Sequence, residues 1–190
     1  DISVAELRFL AALGGGRPNS LFFAGDLGQR IFQVPFSWRS LGVDLRGRSH
    51  TLRVNYRTSH QIRRVADRLL SSDVADVDGI VESRTGTNSV FNGPEPEVRL
   101  AKSVEEETRI VADWLKTCAA DGVEPHELAV FVRSEAELDL ARVAVRLAAF
   151  EPVSTDGGGT IRRGAVTVGT MHVAKGLEFR AVAVMACDDE

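Results

Sequence analysis

Short apolar runs alternate along this chain with amphipathic segments that open on helix-capping signals, and that alternation restricts the fold more than any other feature. The runs, 21–24, 51–54, 97–101, 128–132, 165–171 and 181–186, have the length and apolar character of buried strands. Four segments begin with Ser or Thr followed three residues later by Glu or Gln: Ser3 to Glu6, Thr58 to Gln61, Ser103 to Glu106 and Ser134 to Glu137. In such a box the hydroxyl caps an orphan helical amide and the acidic or amide side chain reaches back. Each opens an apolar stripe at helical spacing, as in Val104, Thr108, Val111, Leu115 and Cys118, or Leu138, Ala141, Val145 and Ala148. Strands alternating with helices predict an α/β fold, a mostly parallel sheet flanked by helices, with ligands at the carboxyl ends of its strands. The stretch 71–96, rich in Asp, Gly, Asn and Ser, reads as a long loop.

Composition narrows the class. With 190 residues, 44% hydrophobic and 26% charged, the chain can bury a substantial core without staples. Cys118 and Cys187 are far apart and belong to no CxxC or Cys-His cluster, so neither a disulfide framework nor a metal site is expected. No apolar run approaches the roughly 18 residues that span a bilayer, and no membrane association is expected. The net charge of −4 conceals an asymmetry: residues 1–72 carry 11 basic and 5 acidic side chains, residues 73–160 carry 8 and 18. A basic region within a near-neutral total leaves room for an anionic ligand.

Three segments could carry chemistry. In the first, the apolar run 21–24 delivers Gly25-Asp26, and Gln29 follows within a turn; a Gln amide can orient a water while bonding a phosphate oxygen. Taken alone, this is also the pattern of an ordinary turn. In the second, a strand ends in Asn55-Tyr56-Arg57 before a helix cap. A Tyr ring can stack on a base, and an Arg offers a rigid fork of donors to phosphate. The third, Thr170-Met171-His172-Val173-Ala174-Lys175-Gly176-Leu177-Glu178-Phe179, packs hydroxyl, imidazole, ammonium and carboxylate groups into a single connection between strands.

Together these segments resemble motifs III, IV and V of the superfamily 1A DNA helicases of the UvrD/Rep type. The third motif is matched by Gly25-Asp26-Leu27-Gly28-Gln29-Arg30-Ile31-Phe32, the fourth by Leu52 to Thr58, and the fifth, most specifically, by Thr170 to Phe179. Order and spacing agree, and Glu105 to Leu115 and Leu128 to Ser134 also resemble the second motor lobe, so the likeness spans nearly the whole chain. It implies a RecA-like sheet. Residues 1–45 would be the end of a first motor lobe, and 46–190 a second RecA-like lobe cut before the sixth motif. On the same resemblance, Gln29 senses the γ-phosphate, Tyr56 stacks on adenine, Arg57 neutralises charge developing on the γ-phosphate and Glu178 bonds the ribose. Thr170, His172 and Lys175 would face single-stranded DNA, with Trp38 or Phe36 stacking on a base and Arg39 beside it.

The intact enzyme would use ATP and Mg, work in the bacterial cytoplasm on the nucleoid, and depend on the first lobe of its own polypeptide. No GxxxxGK[ST] loop occurs in these 190 residues, so the chain by itself is expected to bind no cofactor tightly and to lack ATPase activity. Two departures from the family stand out. The family's aromatic and Arg-Gly-Ala after motif III is replaced by Gln33-Val34-Pro35-Phe36-Ser37-Trp38-Arg39-Ser40, and the insertion before motif V is reduced to about 156–164. The rival expectations are a noncatalytic nucleic-acid or protein interaction module derived from such a lobe, and an unrelated Rossmann-like enzyme. Neither Gly14–Gly16 nor Gly157–Gly159 stands between a strand and a helix, which counts against the second.

Overall fold

The computed structural model describes residues 2–26, 35–69, 73–83, 85–154 and 162–187. They form two compact units, 1–97 and 98–190.

In the first unit the Ser3 capping box is complete: Glu6 N donates to Ser3 Oγ and Ser3 N to Glu6 Oε2. It opens α1 (Val4–Gly14), which buries Leu7 fully and ends on Gly15 in the left-handed region. The expected strand 51–54 narrows to β1 (Val54–Asn55), followed by α2 (His60–Ala66). The cap of α2 is Ser59, not Thr58: its Oγ accepts from Ile62 N, and the buried Ser59 displaces the expected box by one residue.

The described part of the expected loop, 73–83 and 85–96, includes short strands. These are β2 (Asp73–Ala75), β3 (Val81–Ser83) and β4 (Asn88–Ser89); β2 and β3 form an antiparallel hairpin, and β4 pairs in parallel with β1. Asp76 builds the hairpin turn, its Oδ1 accepting from the amides of Asp78 and Ile80 while Gly79 takes φ +77°. Conversely, the runs 21–24 and 97–101 form no strand. Phe22, Val98 and Leu100 are 91%, 86% and 90% exposed, and an apolar run with no partner ladder gains nothing from its strand propensity.

The second unit is a four-stranded, wholly parallel sheet flanked by two helices. α3 (Val104–Ala120) starts at Ser103, whose Oγ accepts from Glu106 N; Glu106 reaches back to the amide of Lys102 rather than to that of Ser103. β5 (Leu128–Val132) is followed by the Ser134 capping box, complete as expected, which opens through one 3-10 turn into α4 (Leu138–Leu147). β6 (Glu151–Ser154), β7 (Ala165–Thr170) and β8 (Ala181–Val184) complete the sheet in the order β6-β7-β5-β8. β6 lies outside the apolar runs that predict strands; among the described residues it pairs only with β7 and lies at the sheet edge, where the missing amide of Pro152 is tolerated.

The core joins Val111, Ala112 and Leu115 of α3, Ala141, Ala144 and Val145 of α4, Leu128, Val130 and Val132 of β5, and Val166 and Val168 of β7. Glu107 of α3 accepts from the amide of Ala186 (2.8 Å), fixing the chain just beyond β8, where Ala186 holds φ +54°. Among the described residues no helix is long and apolar enough to cross a membrane.

Candidate functional site

Sheet order creates the site of the second unit. The chain leaves β5 through α4 toward the β6 edge, whereas it leaves the adjacent β7 toward β8 on the other side. In an open parallel sheet, ligands collect outside the carboxyl ends of the strands. The last register pair at that end is Val132 with Thr170, continued by the Met171 amide donating to the Val132 carbonyl at 2.9 Å.

The residues that follow Thr170 form two successive tight turns, closed by Val173 N to Thr170 O and Leu177 N to Ala174 O, with Gly176 at φ +84°. The connection thus gathers Thr170 at the strand end, exposed His172, half-buried Lys175 and exposed Glu178 on one short segment. Its far end is anchored twice. Phe179 meets buried Phe131 edge to face (5.8 Å), and Arg180 N donates to the Glu127 carbonyl (2.9 Å). A hydroxyl, an imidazole and an ammonium held at the carboxyl end of a parallel sheet can contact phosphates and base edges; a carboxylate can accept from sugar hydroxyls. Arg133, exposed, follows the last residue of β5 at the same end of the sheet. No role was expected for it, although a cation placed directly after a fully apolar run carries the same signal that singled out Thr170.

In the first unit Asn55 organises the second candidate group. Its Oδ1 accepts from the amides of Arg57 (2.9 Å) and Thr58 (3.0 Å), an Asx turn between β1 and α2. The turn leaves Tyr56 74% exposed and Arg57 exposed, while Ser59 is buried immediately behind them. Arg53 and Arg63 brace the turn's surroundings by donating to the carbonyls of Thr85 and Thr87.

Trp38 and Arg39 share a third location. Trp38 is half-buried against Phe23 (5.2 Å, edge-on) and Phe36 (5.4 Å), and its Nε1 is buried without a partner among the described residues. Arg39 is exposed. Gln29 lies outside the described residues. The candidate residues therefore fall into Tyr56 with Arg57 and Trp38 with Arg39 in one unit, and Thr170, His172, Lys175 and Glu178 in the other.

Among the described residues no three His, Cys, Asp or Glu side chains come together to hold a metal ion. An apolar groove of about 620 Å³ between α3 and α4, bordered by Val104, Leu140, Val143 and Leu147, includes none of the candidate residues. No protein-family model matches the sequence, and no curated protein matches it.

Proposed function

We propose that this chain carries the second, RecA-like motor lobe of an ATP-dependent DNA helicase or translocase of the UvrD/Rep type, acting on single-stranded DNA in the bacterial cytoplasm. One observation supports the reading: the Thr170 to Phe179 segment, the most specific motif of the sequence, begins at the carboxyl end of the parallel strand β7 and forms the connection that leaves it.

In this reading Tyr56 offers its exposed ring to adenine, and Glu178 accepts from the ribose. Arg57, its backbone fixed by Asn55, neutralises charge developing on the γ-phosphate. Gln29 couples the γ-phosphate to the DNA. Thr170, His172 and Lys175 hold the single strand from the connection after β7, while Arg39 contacts phosphate and Trp38 contributes ring surface beside it. An exposed aromatic ring and an adjacent guanidinium fit the base and phosphate ends of ATP. On the resemblance, acidic ligands for Mg belong to the first lobe. ATP binding and hydrolysis would close and open the two lobes and so move the protein along the strand.

The test is ATP hydrolysis by a polypeptide in which a phosphate-loop lobe precedes residue 1. Turnover that rises at least tenfold on adding oligothymidylate supports the reading; turnover indifferent to single strands refutes it. The 190-residue chain alone should give no turnover in either condition.

A further inference from the structure

The turn that carries Trp38 and Arg39 is held by a residue far away in sequence. Asp78, half-buried in the β2–β3 hairpin turn, accepts from Ser37 Oγ at 2.5 Å and from the Arg39 amide at 3.1 Å. Ser37 passes the link on: its Oγ accepts from Ser40 N (3.0 Å), and its carbonyl accepts from Ser40 Oγ (2.9 Å). Asp78 is itself set by Asp76, whose Oδ1 takes the amides of Asp78 and Ile80. Each bond lies at hydrogen-bonding distance, and several involve an ionised acceptor, which makes them stronger than neutral ones.

This chain of bonds has a definite mechanical consequence. The turn must hold a Trp whose indole N–H is buried without a partner among the described residues, a state that costs stability. Edge contacts with Phe23 and Phe36 offset part of that cost. The Asp78 carboxylate supplies a directional restraint that ring packing lacks. It leaves the Arg39 side chain on the solvent side of the turn, where Arg39 is exposed.

We infer that Asp78 is a positioning residue for single-strand binding: through Ser37 and the Arg39 amide it fixes the turn that docks Trp38 and presents Arg39 to the DNA. The inference rests on the reading of Trp38 and Arg39 under Proposed function. The hairpin is thereby a brace for a binding surface rather than a spacer between β1 and β4.

Trp38 and Trp114 are the two tryptophans of the chain, so in a Trp114→Phe background emission reports Trp38 alone. Asp78→Ala should at least double the acrylamide quenching of Trp38, with the far-ultraviolet circular dichroism unchanged. Asp78→Asn, which keeps an acceptor oxygen for Ser37, should lie between Asp78→Ala and the parent, and Ser37→Ala, which spares the Arg39 amide bond, should do likewise. Binding of fluorescein-labelled oligothymidylate should weaken several-fold in Asp78→Ala. Its logarithmic salt slope should fall by about 0.7, the share of one phosphate contact on a single strand. Unchanged Trp38 quenching in all three variants overturns the brace. Altered quenching with unaltered DNA affinity and slope overturns the link to DNA while sparing the proposed function. Failure of the unaltered chain to bind single strands refutes that function and with it the DNA half of the inference, the quenching then reporting on the brace alone.

Discussion

Arg57→Ala is expected to lower single-strand-stimulated ATP hydrolysis by at least about a thousandfold in a polypeptide carrying both motor lobes. That is the lower end of what an arginine supplied to a transferring γ-phosphate contributes. The expectation follows from placement. Arg57 is exposed beside Tyr56 on a turn whose two following amides are both taken by Asn55 Oδ1. The turn is thus fixed by backbone bonds that a substitution of the Arg57 side chain leaves in place. Circular dichroism and the urea midpoint should match the parent protein while turnover collapses. Arg57→Lys should recover little, because an ammonium cannot reproduce the planar fork. Near-normal turnover in Arg57→Ala would remove this residue from the chemistry.

Leu115→Ala should be the most damaging single truncation in the second unit, at about 2–5 kcal/mol. Leu115 is fully buried on α3, in a cluster built from both helices and from β5 and β7. Deleting its side chain removes buried area and leaves a void that relaxes only partly, since the neighbouring positions Val111, Ala112, Leu128 and Val145 come from elements fixed by their own hydrogen bonds. Leu100→Ala is the control: Leu100 is 90% exposed, and its loss should stay within about 0.5 kcal/mol. Urea denaturation of the two variants checks both. A Leu115→Ala cost below about 1 kcal/mol would mean that the α3–sheet contact is not the core of this unit.

What the sequence made legible follows from which signals are local. β5 and β7 are buried almost throughout, so β5 reads as an unbroken apolar run and β7 as one interrupted by the buried Thr167, and the Ser3 and Ser134 boxes are complete within four residues. Pairing is not local. The runs 21–24 and 97–101 have strand-like composition, but Phe22, Val98 and Leu100 stand in solvent because no neighbouring ladder completes them. The β2–β3 hairpin is the reverse case: short strands lie in a polar stretch, and the Asp78-Gly79 pair at its turn was the one signal available. At the candidate site, Thr170 could be placed because a polar residue ends an apolar run. Asp78 could not, because Ser37 lies 41 residues away from it in sequence. Trp38, expected as a stacking ring, is half-buried between two Phe rings, an arrangement no spacing rule shows.

The central claim is that this chain grips single-stranded DNA through the connection after β7. It is met most directly by fluorescence anisotropy of a labelled oligothymidylate titrated with the 190-residue chain at several salt concentrations, against a duplex of equal length and against a Thr170→Ala/His172→Ala/Lys175→Ala variant. The account predicts preference for the single strand, affinity that falls linearly with salt on logarithmic axes, and at least a tenfold loss in the triple variant. Absence of binding at low salt, equal affinity for duplex, or a triple variant that binds as the parent does would contradict it.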